Sequence, residues 1–368
     1  MDDTARQAPA SGTPAAQRLL GLVGDASPLT RLAVITVLIF VVMSLLRPDP
    51  FFTMGNFSSM AFQIPEFALL SLAIMVAMLT GGIDLSIVGV ANLSSILAVL
   101  VMRHLAPEVA GEAGTIGVIA LGIAVALLCG GLCGLLNGLC VSYLNIPPIL
   151  ATLGTGLIFT GIATVLTGGA AMMGFPAEYS VIGNGTLLYV PIPMWIFAGL
   201  AALVALILSR TAFGLKVYMM GTNPLASRFA GISNAGINLR IYTICGTLAA
   251  VAGLIIASRA NSAKADYGEA YLLLSVLVAV LGGTNPYGGV GRVGGIVLAV
   301  LSMQFLSSGF NMMQVSNFAK EFIWGTLLLV VMVVNLLHFR SAPAAAARPQ
   351  GNSQPPPQGQ PAPSLEKT

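Results

Sequence analysis

The chain consists of long apolar runs separated by short connections that hold most of the polar residues. An apolar run of about 20 residues is long enough for a helix to cross the roughly 30 Å hydrocarbon core of a bilayer. The pattern therefore predicts ten spans and an all-α, polytopic membrane protein. The predicted spans are residues 29–46, 62–80, 86–103, 115–142, 148–168, 191–209, 240–258, 271–283, 293–312 and 322–338.

Two of the connections contain paired glycines. Residues 81–100 read GGIDLSIVGVANLSSILAVL, and residues 282–301, 201 positions later, read GGTNPYGGVGRVGGIVLAVL. Polar, glycine-rich backbone at membrane depth has to be sheltered by protein or by a water-filled cavity. Two interrupted helices in corresponding halves of a chain are typical of a transport pathway, so we predict an internal duplication with both copies in the same direction. The predicted helix-break glycines are Gly81, Gly82, Gly282, Gly283, Gly288 and Gly289.

The composition agrees with a membrane protein. The chain is 56% apolar and only 8% charged, whereas soluble domains carry about 25% charged residues. The net charge is only +3, and the basic residues lie in connections, so we expect the lipid bilayer and not nucleic acid as a partner. Eleven of the sixteen Lys and Arg residues fall on the side that carries both termini. This asymmetry predicts a multi-pass protein of the plasma (inner) membrane with both termini cytoplasmic.

The two ends of the chain differ in composition from the rest. Residues 1–28 and 341–368 are rich in Ala, Pro, Gln and other polar or small residues, and we expect both to be disordered cytoplasmic tails. The first apolar run has no basic segment before it of the kind a cleaved leader carries, so we expect it to be an uncleaved anchor. The predicted transmembrane domain covers residues 29–338.

The only sizeable cytoplasmic connection is residues 210–239, and it contains a helix signal. Asn223 followed by Pro224 suits an N-cap and a first helical position, and Gly231 suits the end of a helix. We predict a short helix over residues 224–230.

This short helix carries apolar residues on one side. Leu225 and Phe229 are four residues apart, and Arg228 places a cation near the C-terminus, where the helix dipole favours it. Such a helix either docks into a groove on a partner or lies on the membrane surface of its own protein. The local sequence leaves both alternatives open.

Four motifs resemble those of permease subunits of ATP-binding-cassette (ABC) importers, in the ribose/monosaccharide branch of the family shared with branched-chain amino-acid permeases. They are GGIDLS at 81–86, PPILATLG at 147–154, TAFGLKVYMMGTNPLASRFAGI at 211–232 and LGGTNPYGGVGRVGG at 281–295. The resemblance implies import of a sugar by two permease subunits, two ATPase domains and a periplasmic solute-binding protein. It also implies that 211–232 couples to the ATPase. The coupling residues are then Gly221, Asn223, Pro224, Ala226, Arg228, Phe229 and Gly231.

The chain departs from the family pattern in two places. Ser86 is followed by Ile87 and Val88 before Gly89, where the family usually has Val-Gly directly. The run at 271–274 reads YLLL, where the family often has acidic residues. We expect the second departure to alter the partner interface or the substrate.

No catalytic constellation is present in the sequence. The chain lacks a G-x-x-x-x-G-K-[ST] loop, a G-x-S-x-G elbow and an H-E-x-x-H helix. We therefore predict a transport subunit without catalytic residues, metal ligands or a cofactor of its own, with ATP bound by a partner chain. The alternatives are an ion-coupled secondary transporter, or an ABC permease for a nucleoside or a branched-chain amino acid.

Asp84 is the only acidic residue with apolar spans on both sides. An ionisable group at membrane depth suggests function, but Asp84 or Ser86 could also cap the helix that starts near residue 86, or Asp84 could face a cytoplasmic interface. For Glu66, near the outer end of the second span, we expect an interfacial position.

Neutral amides and hydroxyls suit the passage of an uncharged sugar better than charges do. For each candidate, a hydrogen bond between helices is the alternative explanation. Together with Asp84, the candidate pathway residues are Asn92, Ser95, Asn137, Thr152, Thr155, Gln304 and Asn311.

Overall fold

The computed structural model describes residues 27–108 and 111–341; the two predicted tails lie outside these residues, apart from their innermost positions. The described chain forms fourteen α-helices and one two-stranded hairpin. The helices are α1 (Pro28–Leu46), α2 (Pro48–Phe51), α3 (Met54–Met78), α4 (Ile87–Leu105), α5 (Glu112–Ser142), α6 (Pro148–Thr167), α7 (Ser180–Asn184), α8 (Ile192–Arg210), α9 (Ala212–Thr222), α10 (Pro224–Phe229), α11 (Asn234–Ala260), α12 (Glu269–Leu281), α13 (Val293–Met312) and α14 (Asn317–Ser341). Strands β1 (Thr186–Leu187) and β2 (Val190–Pro191) pair antiparallel.

All ten predicted spans are helical, and the all-α, polytopic prediction is confirmed. Eight helices of the described chain are long and apolar enough to cross a membrane, namely α1, α3, α4, α5, α6, α8, α11 and α13. Helix α12 is apolar but has only 13 residues, and it corresponds to the shortest predicted span. The remaining predicted span lies within α14, which has 25 residues.

Helices α3 and α11 begin well before their apolar runs do. Helix α3 begins at Met54, where the Thr53 hydroxyl accepts a hydrogen bond from the Asn56 amide. Helix α11 begins at Asn234 after a similar cap by Ser233. Such caps satisfy amide groups that have no partner within the helix, so these helices extend through polar sequence.

Helices α3, α4 and α11 form the buried centre of the protein, and glycines allow α11 to lie close to α5. A Cβ atom at Gly134 would overlap the backbone of Tyr242, and one at Gly246 would overlap the carbonyl oxygen of Gly130. Since lipid tails are as apolar as the side chains, close van der Waals contact of this kind holds membrane helices together.

Successive spans run antiparallel, so the connections fall on two sides. On one side the two glycine breaks touch, because the Gly289 amide donates to the Leu79 carbonyl at 3.0 Å. We call this side the break side. On the opposite side, the Met172 amide donates to the Ala263 carbonyl at 2.8 Å. Both glycine breaks thus lie on one side, as a duplication in the same direction requires; the duplication itself stays a prediction.

Candidate coupling and translocation site

The short helix predicted after Asn223 is confirmed as α10. The Asn223 side-chain oxygen accepts hydrogen bonds from the amides of Leu225 (3.1 Å) and Ala226 (2.9 Å), and Pro224 occupies the first helical position. Gly231 has a φ of 76° just after the helix, a conformation that favours glycine. The local sequence therefore contains the residues that cap, begin and end this helix.

Helix α10 is attached to the protein but exposes its apolar side. Asn234 donates to the Pro224 carbonyl at 2.8 Å and bonds to the Ser227 hydroxyl at 2.7 Å, which fixes α10 to the start of α11. Leu225 is 63% exposed and Phe229 is 86% exposed. The described part of the chain thus covers neither apolar side chain.

The segment 210–239 contains a second helix that the sequence analysis missed. We expected a connection with one short helix, but α9 occupies 212–222, capped by a 3.2 Å bond from the Gly214 amide to the Thr211 hydroxyl. Its buried side includes Val217 and Met220. The three-residue spacing of these apolar residues after a threonine cap was the available signal.

Gly221 on α9 brings both glycine breaks to the coupling segment. A Cβ atom at Gly221 would overlap the Leu79 carbonyl oxygen and the Gly289 amide nitrogen. A Cβ atom at Gly288 would also come too close to the Gly221 carbonyl oxygen and the Gly81 amide nitrogen. We call Gly81, Gly221, Gly288 and Gly289 the glycine junction. It joins α9 to both breaks through backbone contacts that leave no room for a side chain.

A second contact supports the same arrangement, since the Tyr218 hydroxyl donates to the Gly291 carbonyl at 2.9 Å. The other three predicted break glycines lie outside the junction. Gly82 packs against Tyr242 and Pro148, and Gly282 packs against Gly295. Gly283 has a φ of 81° with open space around it, so its contribution is the left-handed turn itself.

Four of the candidate pathway residues meet beside the first break. One Asp84 oxygen, Oδ1, accepts from the Ser86 amide (3.0 Å) and hydroxyl (2.6 Å). Asn137 of α5 donates to the Ser86 hydroxyl at 2.7 Å and accepts from Thr155 of α6 at 2.6 Å. Thr152 accepts from the Leu85 amide at 3.1 Å. We call Asp84, Ser86, Asn137, Thr152 and Thr155 the polar cluster; it joins the first break to α5 and α6.

Asp84 does not cap α4 in the predicted way. Its carboxylate bonds the amide of Ser86, which precedes the helix, and neither Asp84 nor Ser86 bonds an amide of the first helical turn. Asp84 is 1% exposed, so it faces no open surface of the described chain. Its second oxygen, Oδ2, and the Tyr242 hydroxyl are buried without hydrogen-bond partners among the described residues. Asp84 therefore stabilises the turn that precedes α4 from an enclosed position.

Asn92 and Ser95 lie towards the opposite side. The Asn92 amide donates to the carbonyls of Ala265 (2.7 Å) and Tyr267 (2.9 Å), and Ser95 donates to the Asn92 carbonyl. Asn92 thus holds the connection between α11 and α12 against α4. In that connection Lys264 donates to Asp266 at 2.6 Å, and this bond raises the pKa of the lysine.

Gln304 and Asn311 also lie away from the polar cluster. Gln304 of α13 donates to Gln63 of α3 at 3.4 Å, and Asn311 accepts from Lys320 of α14. The eight candidates therefore do not form one continuous lining. Each of these two makes a helix-to-helix hydrogen bond, the alternative explanation given above.

Glu66 is a buried ion-pair partner, and its interfacial position stays a prediction. Its carboxylate receives hydrogen bonds from Arg259 of α11 (2.8 Å) and Tyr271 of α12 (2.7 Å). Arg259 also donates to the Phe62 carbonyl at 3.3 Å. The sequence could not show this arrangement, because the partners lie 193 and 205 positions away. Tyr271 is the first residue of the YLLL run at 271–274. Glu66 of α3 therefore places a carboxylate beside this run, which has no acidic residue of its own.

We expect Glu66→Leu to lower the stability of the permease by about 1–3 kcal/mol, because it leaves the Arg259 charge and the Tyr271 hydroxyl without their partner. Thermal unfolding of the purified protein in detergent measures the effect. The matched control is the double variant Glu66→Leu/Arg259→Leu, which we expect to regain part of the loss. Equal stability of wild type and Glu66→Leu would show that the ion pair contributes nothing.

The fold and site together define a class of protein. Eight described helices long and apolar enough to cross a membrane, two glycine breaks that meet on one side and an exposed, capped helix linked to both breaks through α9 are features of a membrane transport subunit. A family model described as "Branched-chain amino acid transport system / permease component" matches residues 56–332. The chain belongs to this family of permeases.

Named relatives are import permeases. The autoinducer 2 import system permease protein LsrD of Enterobacter sp. (strain 638) is 31% identical over 313 residues, which cover 83% of this chain and 91% of the relative. The LsrD protein of Klebsiella pneumoniae is 32% identical over 76% of this chain and 84% of its own. The ribose import permease protein RbsC of Haemophilus influenzae is 30% identical over 81% and 90%. No solved structure matches the chain. The family resemblance of the four motifs is thereby confirmed.

Proposed function

We propose that this chain is the permease subunit of an ATP-driven importer of a sugar or sugar-like solute. A periplasmic solute-binding protein delivers the solute, and a separate ATPase chain binds ATP, so this chain holds no cofactor. The observation that carries the proposal is the joining of α10 to both glycine breaks through α9 and the glycine junction. An exposed helix that is linked to the interrupted helices through α9 is suited to transmit the motion of a docked ATPase.

The charge distribution supports a cytoplasmic break side. Among the described residues, the break side carries seven Lys or Arg residues and, as its sole acidic residue, the enclosed Asp84. The opposite side carries five basic residues and eight acidic ones. The positive-inside rule then favours a cytoplasmic break side, which supports an inner-membrane protein with both termini inside.

The proposed cycle follows from these contacts. Closure of the ATPase domains moves α10, and α9 moves with it because Asn223 and Thr222 join the two helices directly. The glycine junction passes this motion to both breaks at once. The first break also holds the polar cluster through Asp84 and Ser86. A shift of the break therefore alters the packing of α4 against α5 and α6, as alternating access requires.

The solute class rests on chemistry and on the relatives. Uncharged hydroxyl-rich solutes need many weak amide and hydroxyl partners, and Ser86, Asn137, Thr152 and Thr155 are groups of this kind, which bond one another in the enclosed polar cluster. The relatives are named for import of autoinducer 2 and of ribose. Because a binding protein delivers the solute, selectivity resides mainly in that partner. A second permease subunit, either a copy of this chain or a paralogue, completes the pathway.

Reconstitution tests the proposal. The permease is placed in vesicles with and without its ATPase partner, and uptake of labelled ribose or autoinducer 2 is measured with the binding protein and ATP, without an ion gradient. We expect uptake only when both ATPase and ATP are present. Uptake without the ATPase that follows an imposed ion gradient would instead identify a secondary transporter. Uptake of leucine or of a nucleoside in place of the sugars would contradict the proposed solute class.

A further inference from the structure

An apolar groove lies on the break side between α5, α8, α9 and α11. Its volume is about 440 Å³. The lining is apolar apart from one hydroxyl and one guanidinium. The lining residues are Leu135, Ile207, Phe213, Leu239, Arg240, Thr243 and Ile244. None of them belongs to the glycine junction or to the polar cluster.

The groove reaches from the end of the spans into the membrane. Leu135 lies seven residues before the end of α5, which corresponds to roughly 10 Å of helix. Ile207 lies three residues before the end of α8, roughly 5 Å in. The groove therefore occupies the depth at which lipid headgroups give way to acyl chains.

One cation lines this groove, and two more lie one helical turn beyond lining residues. Arg240 lines it, Arg210 follows Ile207 by one helical turn, and Lys216 follows Phe213 by one turn. All three side chains are exposed, and none forms a hydrogen bond or an ion pair with the residues that the structure describes. The enclosed Asp84 is the one acidic residue on this side of the described chain. Three positive charges thus lie beside an apolar groove with no counter-charge from the protein.

We propose that the groove binds an anionic phospholipid. The phosphate lies among Arg240, Arg210 and Lys216, and an acyl chain fills the space between Ile207 and Ile244. Basic pockets between membrane helices bind anionic headgroups in this way. The apolar walls at membrane depth favour a lipid over an acidic protein surface, which would meet only the exposed end of the site. The assignment of this lipid to the cytoplasmic leaflet rests on the proposed function, because that function sets the orientation of the break side. The lipid site itself does not depend on it.

The position of the groove gives the lipid a consequence for coupling. Phe213 is in the first turn of α9, the helix that carries Gly221. A lipid packed against Phe213 contacts the first turn of α9, whereas the glycine junction contacts its last turn. Occupancy of the groove therefore stabilises the coupling segment, and loss of anionic lipid loosens it.

Lipid-dependent stability tests the site without any transport assay. The purified full-length permease is unfolded thermally in a neutral detergent with added dioleoyl-phosphatidylglycerol, with dioleoyl-phosphatidylcholine or with inorganic phosphate. We expect phosphatidylglycerol alone to raise the midpoint. Because a basic residue near an anionic headgroup contributes about 1 kcal/mol, Arg240→Gln should weaken lipid binding roughly fivefold. Native mass spectrometry of the retained lipid gives the affinity change directly.

Two further variants separate the site from general charge effects. Arg47→Gln removes an exposed arginine on the opposite side and should leave the lipid effect unchanged. Ile244→Trp fills the groove while keeping the cations, and it should remove the lipid effect. The proposal is overturned if phosphatidylcholine raises the unfolding midpoint as much as phosphatidylglycerol does, or if inorganic phosphate alone raises it. It is also overturned if Arg47→Gln reduces the lipid-dependent rise as much as Arg240→Gln does. Dimerisation that Arg240→Gln abolishes, without any lipid effect, would assign the groove to a second copy instead.

Discussion

Gly221→Ala is expected to abolish most ATP-driven uptake while the permease still inserts into the membrane. The new Cβ would overlap the Leu79 carbonyl and the Gly289 amide, and both are backbone atoms that cannot rotate away. Either α9 separates from the breaks, or the breaks shift and lose the bond between Gly289 and Leu79. Overpacking of this kind costs about 1–3 kcal/mol. A cost of that size at the point of transmission corresponds to roughly a fivefold to hundredfold loss in uptake.

Uptake into vesicles and ATP hydrolysis, measured side by side, check this expectation. If the junction transmits motion, Gly221→Ala should uncouple the two activities, so that hydrolysis continues while uptake falls. Gly199→Ala is the matched control, because it lies inside α8 with open space around its Cβ position. Alanine in an unobstructed helix position is favourable by up to about 1 kcal/mol, so this control should keep full uptake. Normal uptake by Gly221→Ala would remove the junction from the mechanism.

The pair Leu225→Ser/Phe229→Ser is expected to break the association with the ATPase without unfolding the permease. Both side chains are exposed, so the fold loses no packing when they are shortened. Large apolar residues at the centre of an interface contribute about 2 kcal/mol or more each. The pair should therefore weaken ATPase binding by at least about a hundredfold. The Asn223 cap keeps α10 formed in the variant.

Co-purification of the ATPase with tagged permease measures this effect, and thermal unfolding of the permease alone shows that the fold is intact. Leu188→Ser is the matched control. Leu188 is 77% exposed, like the α10 residues, but it lies in the hairpin on the opposite side. It should retain the ATPase fully. Unchanged ATPase binding by the α10 pair would mean that the helix lies on the membrane instead of docking.

The coupling helix was predictable because its determinants are local. An N-cap, a proline at the first position and a glycine at the stop act over fewer than ten residues, and α10 has these bounds. Helix α9 was missed although it also has a cap. Its apolar face is short, and the helix packs against both breaks at Gly221 and against α8 and α11, so the burial that stabilises it is not visible in its own sequence.

The pathway candidates show the opposite case. Side-chain type alone made Asn137 and Thr155 candidate pathway residues in the same way as Gln304 and Asn311. The tertiary structure joins the first two in one cluster beside Asp84 and gives the other two separate partners on other helices. Which side chains on different helices bond one another depends on helix packing, and one sequence does not reveal that packing.

By itself the sequence determined the spans, the two breaks and the capped helix, since hydrophobic length, glycine and capping act locally. Only the tertiary structure decided that Gly221 touches both breaks, that Glu66 pairs with Arg259 and that Asp84 is enclosed. Each of these depends on backbones brought within contact distance across the bundle. In a membrane, where lipid matches the apolar side chains, such close contacts decide which helices meet.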